Sequence, residues 1–135
     1  MESAIVGSAF RTFIELAKMD HLIFKFKVYG DVMTGSREFL DHLLDHTQCR
    51  LGKWYYEGEG VDCYSRLPSY PNIEAPHQRM HDASQRVSRA LREGDSKQVI
   101  KGIDDMETAS MEVLQALEKL GREGQERTDI LCASG

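Results

Sequence analysis

Two histidines stand four residues apart in the run His77-Gln78-Arg79-Met80-His81. On a helix, that spacing puts both imidazoles on one face. Both can then reach a single metal ion, because neutral imidazole is the commonest metal-ligating side chain. Two ligands are not a site, and two other stretches offer the rest. His21-Leu22-Ile23-Phe24 brings a third histidine, and Cys49-Arg50-Leu51-Gly52-Lys53-Trp54-Tyr55 brings a thiol. Together they offer His, Cys, His and His, the mixed nitrogen and sulfur shell that zinc takes.

A second pair competes. His42 and His46 have the same spacing, and Cys49 follows three residues later. On a continuous helix all three would share a face. Such a site would be local and would still lack a fourth ligand, and Asp41 and Asp45 suggest a solvated surface there instead. Spacing alone leaves both pairs standing. Taken by itself, His21 is better explained as a half-buried histidine with a satisfied hydrogen bond. Glu74 and His77 form a single Glu-x-x-His, whereas a di-iron bundle needs two such pairs and further glutamates.

The elements that must position these side chains read as helices. Over residues 3–29 the apolar side chains fall into two stripes at helical spacing. One holds Ile5, Ala9, Leu16, Ile23 and Phe26; the other holds Val6, Phe10, Phe13, Ala17, Phe24 and Val28. A surface helix needs one stripe, so the second predicts a partner chain and a homodimer. Gly30 and Gly35-Ser36 predict a break, and Ser36 an N-cap for a helix through Phe39, Leu40, Leu43 and Leu44. Gly52 predicts a close backbone approach. Gly58, Gly60, Pro68 and Pro71 predict a long irregular connection. A third helix is expected over residues 72–93, with Pro76 in its first turn and the paired histidines just inside it. Gly94-Asp95 ends it, and Gln98 completes a capping box for a last helix through Val99, Ile103, Met106, Val113, Leu117 and Leu120. No β pattern stands out. The expected fold is all-α, a four-helix bundle with a short helical insert around Cys49. The bundle domain takes residues 1–123 and a polar C-terminal tail residues 124–135.

Composition narrows the function. The chain has 135 residues, 41% hydrophobic and 29% charged, with a formal net charge of -5. That is one soluble domain with enough core to need no disulfide staples. The acidic balance argues against nucleic acid or an anionic membrane as partner. No apolar run approaches the roughly 20 residues of a membrane span, so no membrane insertion is expected. The start Met1-Glu2-Ser3 lacks a basic segment, so no signal peptide is expected. Cys49, Cys63 and Cys132 are a sparse, odd set that suits a reducing cytoplasm. Cys63 and Cys132 read as small buried hydrophobes or exposed bystanders.

His-x-x-Phe, Cys-x-Leu-Gly-x-Trp-Tyr and Pro-His-x-x-x-His, in this order and spacing, resemble the chemoreceptor zinc-binding domain family. The resemblance runs from His21 to His81. It implies zinc as cofactor, with His21, Cys49, His77 and His81 as the metal ligands, which leaves His42 and His46 outside the site. It also implies a cytoplasmic bacterial sensory domain, usually homodimeric, attached to a chemoreceptor or a diguanylate cyclase. The run from Phe13 to Tyr29 looks most like the chemoreceptor branch.

Four protein ligands close the tetrahedron and leave no water to activate, so no enzyme activity is expected. A single thiolate makes the shell oxidisable and pH-dependent. The site can therefore report zinc or oxidant to a chemotaxis or cyclic-di-GMP output. The alternative is a structural zinc-stapled dimerisation module. Asp20, Asp45 and Asp82 are the carboxylates near enough in sequence to orient the imidazoles.

Overall fold

The computed structural model describes residues 2–127 and 129. The chain is all-α, with four α-helices among the described residues: α1 Glu2–Thr34, α2 Arg50–Tyr56, α3 Glu74–Glu93 and α4 Ser96–Glu126. Three are long, and the short α2 sits in the insert around Cys49. No strand occurs among the described residues.

The two apolar stripes of α1 have different fates. Phe10, Ile14, Ala17 and Val28 are buried, with Phe13 and Phe24 packed beside them. Burying each of the larger side chains stabilises the fold by about 1.5–3 kcal/mol. The other stripe faces outward. Ala9 is exposed and Leu16, Ile23 and Phe26 are 37, 47 and 62% exposed; Met19 and Met33 extend the row at 57 and 84%, while the side chains of Ile5 and Val6 lie outside the described residues. Gly30 does not break α1. The helix ends at Gly35, whose φ of 76° is a left-handed stop.

The helix expected from Ser36 through Leu44 does not form. The segment makes one 3₁₀ turn, Leu40–His42, and then extends from Leu43, whose ψ is 134°. A tertiary contact is the reason. Buried Asp31, near the end of α1, accepts hydrogen bonds from the backbone N–H groups of Phe39 and Leu40, both at 2.9 Å. That carboxylate folds the chain back before a helix can propagate.

α3 and α4 form an antiparallel hairpin around Gly94, whose φ of 69° closes the α3 C-terminus. Asp95 accepts from the Gln98 N–H at 3.2 Å, as the capping-box spacing predicts. Met106, Val113, Leu117 and Leu120 of α4 are wholly buried. α1 lies antiparallel to α4, fastened by Glu118 to Arg11 and Lys18, and by Lys25 to Glu107 at 3.3 Å. Thus α1 and α3 run parallel, which brings His21 level with His77 and His81. α4 continues past Gly124, which packs against Phe10; a Cβ there would lie 2.1 Å from the Phe10 ring. Most of the expected polar tail lies outside the described residues.

The insert is held by aromatics. Trp54 stacks on Phe13 at 4.6 Å, and Tyr64 on Phe10 at 4.3 Å. Tyr55 and Tyr70 stack at 4.3 Å, and each hydroxyl donates to the other residue's carbonyl. Glu123 of α4 accepts from the Ser69 N–H at 2.9 Å and from its hydroxyl. These ties give the long connection a fixed shape despite its two short helical turns, Gly60–Tyr64 and Tyr70–Ile73.

Candidate metal centre

His77 and His81 lie in the first two turns of α3, one turn apart, with Pro76 in the first turn as its missing N–H requires. His21 comes from the middle of α1. Cys49 is the N-cap of α2, its sulfur accepting from the Gly52 N–H at 3.4 Å. Three separate helices thus aim at one point. The donor atoms of His21, Cys49, His77 and His81 all lie within 4.8 Å of one another. Zinc–nitrogen and zinc–sulfur bonds of about 2.0–2.3 Å would draw such a set only slightly inward. The Cys49 sulfur and His77 Nε2 are already 3.2 Å apart. The three imidazole planes are nearly perpendicular to one another, at 79°, 82° and 87°.

Hydrogen bonding sets the tautomers. His21 Nδ1 donates to the Ala17 carbonyl at 2.8 Å, and His81 Nδ1 donates to the Leu44 carbonyl at 2.9 Å. Each ring therefore keeps its proton on the outer nitrogen and turns a bare Nε2 inward. The Nε2 of His81 is buried without a hydrogen-bond partner. A buried polar atom left unpaired costs stability, unless a ligand completes it. The carboxylates expected to orient the rings do not do so. Asp20 pairs with Arg50 at 3.1 Å, Asp45 caps the Thr47 N–H at 2.8 Å, and Asp82 is exposed. Backbone carbonyls take that role, and no side-chain pattern announces a carbonyl.

Burial governs the charge state. His21, His77 and His81 are 3, 1 and 1% exposed. Burial, with the neighbouring imidazoles adding to it, pushes His77 down to about 2. Burial takes His81 to about 4 against the pull of the Leu44 carbonyl, and lowers His21 against that of Ala17. Burial raises the Cys49 thiol, with the Gly52 and Leu51 backbone opposing. Without a metal, the cluster is three neutral imidazoles and a thiol, with lone pairs ready for a soft or borderline cation.

Two further positions shape the site. Gly52 is packed so closely that a Cβ would lie 2.0 Å from the His46 carbonyl oxygen, as the expected close approach requires. Phe24, the aromatic of His-x-x-Phe, covers His81 with ring centroids 4.8 Å apart. Of the rival pair, His42 is exposed in the 3₁₀ turn. His46 is half-buried, its ring centroid 5.9 Å from that of His77.

Cys63 is disulfide-bonded, contrary to its reading as a bystander or a small buried hydrophobe. Cys132 lies outside the described residues, and Cys49 is the free cysteine among them. No helix among the described residues is long and apolar enough to cross a membrane.

The family model of the chemoreceptor zinc-binding domain matches residues 21–88, half of the chain, and spans all four clustered side chains. No curated protein and no solved structure matches.

Proposed function

The chain belongs to the chemoreceptor zinc-binding domain family, and we propose that His21, Cys49, His77 and His81 hold its zinc as the input of a sensory domain. The observation that carries this is the bare, buried Nε2 of His81, aimed into a cluster whose other donors lie within 4.8 Å. Buried side-chain nitrogens are ordinarily hydrogen-bonded. This histidine spends a backbone carbonyl to keep the second nitrogen open.

Four protein ligands close a tetrahedron, so the domain is regulatory rather than catalytic. Its thiolate is the part an oxidant attacks. Hypochlorous acid would convert the Cys49 thiolate to sulfenic acid while being reduced to chloride. One anionic ligand would be lost, and the tie between α1, α2 and α3 would loosen. The exposed row Leu16, Met19, Ile23, Phe26 and Met33 keeps the 3-4 spacing of a helix–helix seam. It supports a homodimer through α1, the helix that also carries His21. A shift of α1 would then pass to an attached chemotaxis or cyclic-di-GMP output. We place the domain in the cytoplasm on the family resemblance alone, because the Cys63 disulfide removes the support that the cysteine set gave for a reducing compartment.

The purified protein should carry one zinc per chain. Cys49→Ala should lower zinc affinity, and His42→Ala should not. Loss of metal from the His42 variant alone would reverse the assignment. Hypochlorous acid should oxidise Cys49 first, with weakened zinc. Oxidation elsewhere ahead of Cys49, with zinc retained, would leave zinc level as the signal.

A further inference from the structure

We propose that His46 is a reserve ligand of the same centre, which takes the place of Cys49 when that sulfur stops donating. The inference rests on the zinc reading above. The His46 ring stands edge-on to His77, at 87° and 5.9 Å between centroids. His21 and His81 stand to His77 in the same way, at 79° and 87°, each 4.8 Å away. His46 is therefore a third imidazole beside His77, set back by about one ångström from the others. Its backbone lies beside the sulfur, where its own carbonyl accepts from the Cys49 thiol at 3.8 Å.

Little holds the ring where it is. It packs edge-on against Tyr56 at 5.8 Å, and none of the hydrogen bonds among the described residues involves it. The surrounding turn is tied mainly to itself: Asp45 N–H to the Gln48 side chain at 3.1 Å, and Thr47 N–H to Asp45 at 2.8 Å. It is joined to the rest of the fold by the Leu44 carbonyl on His81 and by the backbone of His46 and Thr47 against Gly52. A small inward movement of this turn would bring a nitrogen of His46 to the centre.

The chemistry favours the exchange. Three histidines alone would take a water as fourth ligand and open a hydrolytic site. An imidazole tethered on the adjoining loop outcompetes water through its high effective concentration. Replacing a thiolate by neutral imidazole weakens the shell without emptying it. The signal would then be a moved loop around retained zinc, and it would reverse when two equivalents of a small thiol reduce the sulfenic acid, releasing water and that thiol's disulfide.

Cobalt(II) loaded into the full chain reads this directly, with circular dichroism confirming the helices of each variant. Unaltered protein should show a thiolate-to-cobalt charge-transfer band and tetrahedral ligand-field bands. Cys49→Ala and Cys49→Ser should lose the first and keep the second. His46→Ala alone should change neither the bands nor zinc affinity. Cys49→Ala with His46→Ala should bind zinc about tenfold or more weakly than Cys49→Ala, and its ligand-field bands should shift and become pH-dependent as a water takes the fourth position. Equal affinity and equal spectra for those two variants would overturn the reserve role alone, as would a Cys49→Ala or Cys49→Ser protein that is folded yet binds no metal. An unaltered chain that takes up no metal would instead overturn the zinc site, and this role with it.

Discussion

The buried nitrogens of α3 make the metal-free protein sensitive to acid. In the unfolded chain these imidazoles titrate near 6.5; in the fold His77 is held down to about 2 and His81 to about 4. Between those values the unfolded state binds protons that the folded state refuses. Stability is therefore full above about pH 6.5 and falls as the pH drops below it. With a chelator present, the urea midpoint should fall between about pH 7.5 and about pH 5, at a cost of at least about 1 kcal/mol. His77→Gln should flatten that slope, and an unchanged slope would mean the ring is not buried neutral. At this scale the sequence was informative about donors and silent about what orients them. His21, Cys49, His77 and His81 were picked out by the family resemblance of their three motifs, since spacing alone also left His42 and His46 standing. The carbonyls of Ala17 and Leu44 belong to every residue alike, so the expectation fell on Asp20, Asp45 and Asp82 instead.

Elements decide whether the donors meet. Gly52→Ala would push a methyl onto the His46 carbonyl 2.0 Å away and displace the turn that leads into Cys49. We expect zinc affinity to drop more than about tenfold while the long helices persist, measured by chelator competition and circular dichroism. Gly124→Val would collide with Phe10 at the α1–α4 contact and should cost about 1–3 kcal/mol in thermal unfolding, with zinc stoichiometry unchanged. The start of α3, the Gly94-Asp95 corner and the α4 core face were readable because proline, glycine and caps act locally. The missing helix after Ser36 was not readable, because Asp31 removes it through contacts eight and nine residues ahead. The two stripes of α1 were visible as stripes. Which of them faces outward depended on where α4 and Trp54 lie.

At the scale of the molecule, α1 is both a wall of the metal centre and the owner of an uncovered apolar row. Phe26→Glu together with Ile23→Glu should give a monomer by sedimentation at micromolar concentration, whereas the unaltered chain should sediment as a dimer. A monomeric unaltered chain would remove the seam. Metal removal separates a switch from a staple. A switch keeps its helices when zinc is chelated and changes their packing, read by proteolysis or hydrogen exchange. A staple unfolds.

The depth of the three imidazoles has a consequence in time. None is more than 3% exposed, so the way out for an ion lies on the side of Cys49, the half-buried fourth donor. We expect its release to wait on movement of residues 43–49, and the frequency of such an opening is a property of the chain, not of the solution outside. Brief dips in supply would pass unrecorded, and only sustained ones would register, so the domain averages its surroundings over its own opening interval. Chelator-driven release should therefore approach a ceiling rate as chelator is raised. Gly52→Ala, by loosening the same turn, should raise that ceiling and shorten the protein's memory.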